Sequence, residues 1–406
     1  MFHRQAPRSA VVRQSDDSID DPLAGLADIQ DVLAHISANY VDVPDMAKVI
    51  AGGIQEALER VSLLNSYLPP EEAHLSDPGP GETGLTLLKA GILAVVVGVA
   101  PDSPAGAAGL QIGDRVRRLD GDSIGSLSQW AIERRLRGAV GSSVTLIVMP
   151  GGATEQKRIT INRERLQASK IRVVSEPKVS TVVLPDLREG RAKEIADCLM
   201  RADLALPLVI DLRTCNGGSY EEAAKVASLL GCTGTFATLQ EIGRPDSPIA
   251  VPQGEVARFS KIAVLVGLGT LGPSEALAVA LKHLGAETQT AQRDGKTIIF
   301  LGERTSGQAT ERTRFALKQG GAVELVTRRW MGSGGERLDM GSSGGRLNVT
   351  GLTPDYSLRG IPENDELMPR ILEALEKGPI KPKDGSNERP NVVAFLPSVA
   401  NSWGLC

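Results

Sequence analysis

The chain has 406 residues, of which 41% are hydrophobic and 23% charged, and its net charge is -4. These values are typical of a folded protein of roughly two to three domains. Scattered Lys and Arg, with only 3% aromatic residues, argue against a nucleic-acid-binding surface. No apolar run reaches the ~18 residues of a membrane span, so we expect no membrane insertion.

The four cysteines, Cys198, Cys215, Cys232 and Cys406, form no CxxC pair. No histidine stands at metal-ligand spacing from any of them, so we expect neither a metal site nor a cofactor. Free thiols are the simplest interpretation, and a disulfide remains an open alternative.

The first 80 residues predict a tail, two helices and a linker. Residues 1–20 are polar and aperiodic, which predicts disorder, and they contain no apolar segment of an export signal. Over 21–80, apolar residues recur at helical spacing on both sides of the turn VDVPD, and the stretch from Leu68 to Gly84 is rich in Pro and Gly. The apolar positions are Ile29, Val32, Leu33 and Ile36 in the first helix, and Met46, Val49, Ile50, Ile54, Leu58 and Val61 in the second.

Residues 81–165 predict a compact β-rich unit. ILAVVVGVA, from Ile92 to Ala100, is typical of a strand, and the residues from Ser128 to Leu136 predict an amphipathic helix. Between them, SPAGAAGLQIGDRVRRLDG fits the pattern SPAxxAGLxxGDxVxxxDG, and with it the whole unit resembles a PDZ domain.

That resemblance implies a site for the C terminus of a peptide. It identifies Gly84, Leu85, Thr86 and Leu87 with the loop that binds the terminal carboxylate through backbone N–H groups. It also implies that Trp130, Ile132 and Leu136 lie near the last side chain of the peptide. The alternative is a PDZ fold that serves only for packing between domains.

Residues 166–360 alternate between strand and helix patterns, which predicts an α/β core with a largely parallel sheet. The segments VSTVVL, PLVID, IAVLVG and TIIFLG are typical of buried strands. The remaining residues, 361–406, form a C-terminal tail that we expect to be flexible from Gly378 to Pro390.

Three segments of this core resemble the C-terminal processing, or tail-specific, serine proteases. They are VIDLRTCNGG from Val209, KIAVLVGLGTLGPSE from Lys261 and FLGERTSGQ from Phe300. The resemblance implies oxyanion donors at Gly217 and Gly218, with Cys215 where an Asn is typical. It places the nucleophilic Ser at Gly272 and the basic Lys at Gln308, so both catalytic positions are substituted.

These segments also have purely structural interpretations. Gly272, Pro273 and Glu275 form a good helix start without any catalytic role, and the paired glycines fit a turn between strand and helix. Ser274 is the alternative nucleophile, and Thr270 is another candidate, but each needs a base within hydrogen-bond reach. His283 is nine residues after Ser274, about 2.5 helical turns, so a Ser–His pair within this helix is excluded.

We therefore expect a homologue of these proteases that binds peptides or protein C termini and hydrolyses them weakly or not at all. An active serine-type endopeptidase with displaced catalytic residues is one alternative, and a structural oligomeric scaffold is another. The expected partners are polypeptide C termini, a second copy of the chain, or an active relative. The resemblance implies export, whereas the N-terminal residues contain no export signal, so the compartment stays open.

Overall fold

The computed structural model describes residues 25–151, 153, 155–254, 256–290, 296–343, 346–349, 351–358 and 366–379. The predicted tail over 1–20 lies outside the described residues, as does the predicted flexible stretch beyond its first two positions, Gly378 and Pro379. Within these ranges, no helix combines the length and apolar character that a membrane span requires.

The chain divides into two compact units, residues 1–53 and 54–406. The two predicted N-terminal helices are confirmed as α1, Leu26–Asn39, and α2, Met46–Val61, and no residue of either helix is buried. Downstream, the predicted linker contains regular structure. A short strand, β1 (Ser66–Leu68), precedes a one-turn helix, α3 (Pro70–Ala73).

The β-rich unit is an antiparallel sheet with order β3-β4-β5-β8-β9, covered by a helix. Alternate residues of β3 are buried, as expected of a strand with one face on the core. The Asp120-Gly121 turn has positive φ at both residues, +49° and +89°, which suits a tight hairpin. The elements are β2 Gly81–Glu82, β3 Leu85–Ala90, β4 Leu93–Val99, α4 Pro104–Ala107, β5 Arg115–Leu119, β6 Asp122–Ser123, α5 Gln129–Leu136, β7 Arg137–Gly138, β8 Ser143–Met149 and β9 Lys157–Asn162.

The remaining elements form the α/β core. In chain order they are β10 Arg172–Glu176, β11 Val179–Val183, α6 Arg191–Leu199, β12 Leu208–Asp211, α7 Tyr220–Leu229, β13 Thr235–Glu241, β14 Ser247–Ala250, β15 Lys261–Val266, α8 Pro273–Thr290, β16 Thr297–Gly302, β17 Thr310–Ala316, β18 Ala322–Gly332, β19 Met340–Ser343, β20 Arg346–Val349, β21 Tyr356–Ser357 and α9 Leu367–Lys377. The central sheet has order β10-β11-β12-β15-β16-β21 and is parallel except for the β10–β11 pair. The predicted, largely parallel sheet is therefore confirmed.

Two features of the core differ from the expectation. A second, antiparallel sheet joins β1, β18, β13 and β14, with β17 paired to β18, so β1 belongs to the core rather than to a linker. The predicted C-terminal tail also begins with α9, whose buried residues Ile371, Ala374 and Leu375 pack with Val209 and Ala263 of the central sheet. The helical spacing of these apolar residues is the pattern in the sequence that indicates this helix.

Candidate functional site

Gly272, which the sequence resemblance predicts at the nucleophile position, lies at the start of α8. Gly272 has φ +58°, and its carbonyl accepts hydrogen bonds from the backbone N–H groups of Glu275 (3.0 Å) and Ala276 (3.3 Å). A Cβ built on Gly272 would lie 3.8 Å from both the Gln308 carbonyl oxygen and the Tyr220 hydroxyl, so a small side chain has room. The left-handed backbone nevertheless disfavours any L residue there. The next residue, Pro273, has no N–H to donate to an oxyanion.

The two hydroxyls considered as alternative nucleophiles are buried and engaged with the backbone. Ser274 is 1% exposed, and its Oγ donates to the carbonyl oxygens of Cys215 (2.8 Å) and Leu271 (3.0 Å). Thr270 is fully buried, and its Oγ1 donates to the Leu212 carbonyl (2.8 Å) while accepting from Gly267 N–H (3.0 Å). Each hydroxyl therefore holds a loop to a neighbouring strand end.

Glu275, which the sequence analysis noted only as part of the helix start, holds this region together. Its Oε1 accepts from Gly307 N–H (2.7 Å), and its Oε2 accepts from Gln308 N–H (2.8 Å) and Gly272 N–H (3.2 Å). The residue is fully buried, and burial raises the pKa of its carboxyl to about 7, against the opposing effect of the Thr305 hydroxyl and these backbone donors. The carboxylate fixes the 305–308 loop against α8.

Gln308, the predicted position of the base, lies beside Gly272, since its carbonyl oxygen would be 3.8 Å from a Cβ at 272. Its backbone forms a β-bridge with Asp339. Its side-chain Nε2 is buried and makes no hydrogen bond with the described residues. A neutral amide cannot take a proton from a hydroxyl at neutral pH, so this side chain cannot serve as a base.

The paired glycines form the turn between β12 and α7. Both have positive φ, +86° at Gly217 and +107° at Gly218. Leu187 N–H donates to the Gly217 carbonyl (3.0 Å), and a Cβ on Gly218 would fall 2.1 Å from the Leu187 carbonyl carbon and oxygen. A close approach of two chain segments thus requires glycine at 218, whereas nothing lies within 4 Å of a Cβ at 217.

These segments surround a cavity of about 430 Å³, here called the α8 cavity. Tyr220 and Trp330 stack on one side with ring centroids 3.8 Å apart, and Trp330 Nε1 donates to Glu311 (2.9 Å). No lysine, arginine or histidine occurs among the described residues that line it, so the cavity offers no basic side chain. Its lining consists of Thr86, Asn216, Gly217, Gly218, Ser219, Tyr220, Glu221, Leu271, Gly272, Pro273, Gln308, Thr310, Glu311 and Trp330.

A second cavity, of about 590 Å³, lies at the predicted carboxylate loop and is here called the PDZ groove. Gly84 lines it with Leu136 of α5 and with Leu85, Thr86 and Leu87, which the sequence predicted in a loop and which form the first half of β3. Gly84 has φ +75°, and a Cβ there would fall 2.2 Å from Ser103 Cβ, so this tight turn requires glycine. The Leu85 N–H donates to the side-chain Oγ1 of Thr83, two residues earlier, at 3.3 Å.

The predicted helix residues divide between two faces of α5. Leu136 lines the PDZ groove, whereas Ile132 is fully buried in the core of the β-rich unit. Trp130 lies between the guanidinium groups of Arg134 (5.4 Å) and Arg314 (5.6 Å), outside the groove lining. Of the residues of α5, Glu133 and Leu136 line the groove, as their i, i+3 spacing on one helix face requires.

The two cavities adjoin. Thr86 and Asn216 line both, and Asn216 Nδ2 donates to Thr86 Oγ1 at 2.9 Å. Asn216 stands within the DLRTCNGG segment, where the sequence analysis singled out only Cys215 and the glycines. No local pattern marks Asn216, because its partner is 130 residues away.

Cys198, Cys215 and Cys232 are free thiols, and Cys406 lies outside the described residues. Burial raises the pKa of Cys215, and it raises the pKa of Cys232 to about 12. Both buried thiols therefore stay protonated at neutral pH.

Comparison with known proteins agrees with the fold. Residues 178–358 match the model of peptidase family S41, and residues 95–149 match that of the PDZ domain. Over 387 residues the chain is 24% identical to the carboxy-terminal-processing protease of Bartonella bacilliformis, which covers 92% of this chain and 84% of that protein. A probable CtpA-like serine protease of Staphylococcus aureus is 24% identical over 349 residues, and the match covers 84% of this chain and 67% of that protein.

Among solved structures, the photosystem II D1 C-terminal processing protease superposes with a TM-score of 0.60 at 20% identity, covering 85% of this chain and 91% of that one. The architecture is thus that of a peptidase-like α/β core joined to a PDZ domain. Residues 178–358 thus match peptidase family S41, beside a PDZ domain, and the chain as a whole is similar to C-terminal processing proteases.

Proposed function

We propose that this protein binds the C-terminal ends of polypeptides in its PDZ groove and does not cleave them. The observation that carries the proposal is the contrast between the adjoining cavities. The PDZ groove has an open edge at Gly84–Leu87 and an apolar wall at Leu136. The α8 cavity shares Thr86 and Asn216 with this groove. It has Gly272 and Gln308 at the positions where the resemblance predicts the nucleophile and the base that hydrolysis needs.

Three independent features oppose hydrolysis. Gly272 has no side chain, and Gln308 cannot accept a proton. Pro273 follows the nucleophile position, where hydrolases with a nucleophile at a strand-to-helix turn use a backbone N–H as an oxyanion donor. The displaced-nucleophile alternative needs an accessible hydroxyl, and Ser274 and Thr270 both donate to backbone carbonyls in buried positions.

The binding half of the proposal is tested by titrating the full chain with peptides that have either a free carboxylate or an amide at the C terminus. We expect the acids to bind and the amides to lose about tenfold or more in affinity, since the loop N–H groups bond best to a charged acceptor. Equal affinity of the two forms would refute carboxylate recognition.

The catalytic half is tested by restoring the missing groups. We expect no cleavage of an unstructured peptide by the natural chain, by Gly272→Ser or by Gln308→Lys in single-turnover assays. The double variant has a Ser and a Lys but no N–H at 273, so the triple variant with Pro273→Ala should exceed it by about 10²-fold, the effect of one oxyanion donor.

The matched control is Gly272→Ala combined with the other two changes, which alters the backbone equally and supplies no hydroxyl. Cleavage by the natural chain that disappears in Ser274→Ala would overturn the proposal in favour of a displaced nucleophile. Equal cleavage rates of the double and triple variants would contradict the proposal that Pro273 opposes hydrolysis by lacking an N–H donor.

A further inference from the structure

Gln129, the first residue of α5, bonds to the open edge of β3 at Leu87 and Lys89, where the lining of the PDZ groove along β3 ends at Leu87. Its Nε2 donates to the Leu87 carbonyl (2.9 Å), and its Oε1 accepts from Lys89 N–H (2.9 Å). The residue is 2% exposed. Because Nε2 also donates to Glu133 Oε1 (2.9 Å), its two partners are acceptors and the partner of Oε1 is a donor, which fixes the orientation of the amide.

The two backbone groups that Gln129 holds are ones that an added strand would use. A peptide whose carboxylate lies at the Gly84–Leu85 loop must run antiparallel to β3, because β3 leaves that loop while the peptide ends there. With its last residue opposite Leu85, its third-last residue lies opposite Leu87 and its fifth-last opposite Lys89. The Gln129 amide therefore replaces the peptide backbone from the third-last residue onward.

This closure is held from the α/β core. Arg312 of β17 donates to both oxygens of Glu133 (2.7 and 3.0 Å), and Glu133 in turn accepts from Gln129. Moving Gln129 away from β3 would leave the Leu87 carbonyl and the Lys89 N–H without partners until a peptide replaced them. Buried groups without partners cost free energy, so the closed arrangement is favoured.

We propose that Gln129 limits recognition in the PDZ groove to the carboxylate and the last two residues of a polypeptide. The proposal rests on the peptide binding proposed above. The affinity of this chain would then depend on the last two residues of a polypeptide and not on the sequence upstream of them. The proposal also accounts for the partners of the Leu87 carbonyl and the Lys89 N–H, at an edge of β3 where none of the described strands pairs.

The test is calorimetric titration of the full chain with acids of three and seven residues that end in the same two residues. We expect their dissociation constants to agree within about twofold in the natural chain. In Gln129→Ala the seven-residue peptide should gain about tenfold over the three-residue peptide, from the additional backbone hydrogen bonds. N-methylation of the third-last residue should abolish that gain, because it removes the donor to the Leu87 carbonyl.

Gln111→Ala, an exposed glutamine of the same domain, is the matched control and should behave as the natural chain. Gln129→Glu is the second variant if Gln129→Ala does not fold, since a carboxylate cannot donate to Leu87. Length-dependent binding by the natural chain would overturn the proposal, as would length-independent binding by both Gln129 variants. If peptide acids and amides bind equally to the natural chain and to all the variants, the proposed carboxylate recognition is refuted. The proposed restriction to the last two residues is then refuted as well.

Discussion

At the scale of single residues, Glu275 joins the start of α8 to the 305–308 loop. Its carboxyl accepts hydrogen bonds from three backbone N–H groups, those of Gly272, Gly307 and Gln308. Such a buried acid has two competing influences: burial favours the neutral form, and the donors favour the charged form. Burial is the larger influence, so the folded pKa lies at about 7, above the usual value of 4.5.

This difference predicts a pH dependence of stability. Because the folded pKa of Glu275 is raised, its contribution is fully present below pH 4.5 and is lost as the pH rises through about 7. Compared with Glu275→Gln, which does not titrate, the natural chain should lose on the order of 3 kcal/mol of unfolding free energy between pH 4.5 and 8. Urea unfolding of both proteins across this range measures it. A natural chain that gains stability over the variant with rising pH would mean that the N–H donors dominate.

At the scale of elements, the turn from β12 into α7 separates two roles that glycine can have. Gly218 is required by packing, because the Leu187 backbone occupies the space of its Cβ. Gly217 needs only its left-handed backbone, with open space around it. Both were candidates for oxyanion donors on the basis of resemblance, and the structural demand on Gly218 alone accounts for its identity.

The two glycines are a matched pair for mutation. Gly217→Ala should cost about 1–2 kcal/mol of unfolding free energy, the strain of a left-handed L residue. Gly218→Ala should cost more than ~3 kcal/mol, since the added methyl group must also push the Leu187 segment away. Chemical denaturation distinguishes the two. Equal costs would show that the Leu187 segment moves freely and that the close approach is not rigid.

At the scale of the whole molecule, an ion pair, a cation–π contact and a hydrogen bond are among the contacts that join the PDZ domain to the core. Arg312 pairs with Glu133, Arg314 lies 5.6 Å from the ring centre of Trp130, and Asn216 bonds to Thr86. These contacts use β17, α5 and the glycine turn, so the domain is held beside both cavities. The Trp130 ring, predicted for a peptide, instead contributes to this junction.

Removing the Arg312–Glu133 ion pair should weaken the contact between the PDZ domain and the core. Arg312→Met should lower the unfolding free energy by about 1 kcal/mol, because the ion pair is partly exposed, and salt should reduce the difference. It should also speed tryptic cleavage after Arg165 and Lys170, exposed residues between the two domains. Arg135→Met is the control, since its pair with Asp122 lies within the PDZ domain. Faster cleavage in both variants would contradict a role specific to the junction.

The sequence by itself determined the units that depend on local patterns. Strand and helix periods predicted the parallel sheet and a compact β-rich unit, because burial of one face imposes a period on each element. The resemblance identified that unit as a PDZ domain and predicted that Gly272 and Gln308 are substituted catalytic positions. These conclusions needed only residues close together in the chain.

Only the tertiary structure decided which side chains meet across long distances. The Glu275 contacts, the Asn216–Thr86 bond and the reach of Gln129 to Leu87 join segments that are about 30 to 130 residues apart. The orientation of α5 was likewise decided by packing, since Ile132 faces the core, Glu133 lines the groove and Gln129 bonds to β3. Polar side chains that bond to backbone groups leave no periodic signal, because their partners are set by the fold rather than by spacing along the chain.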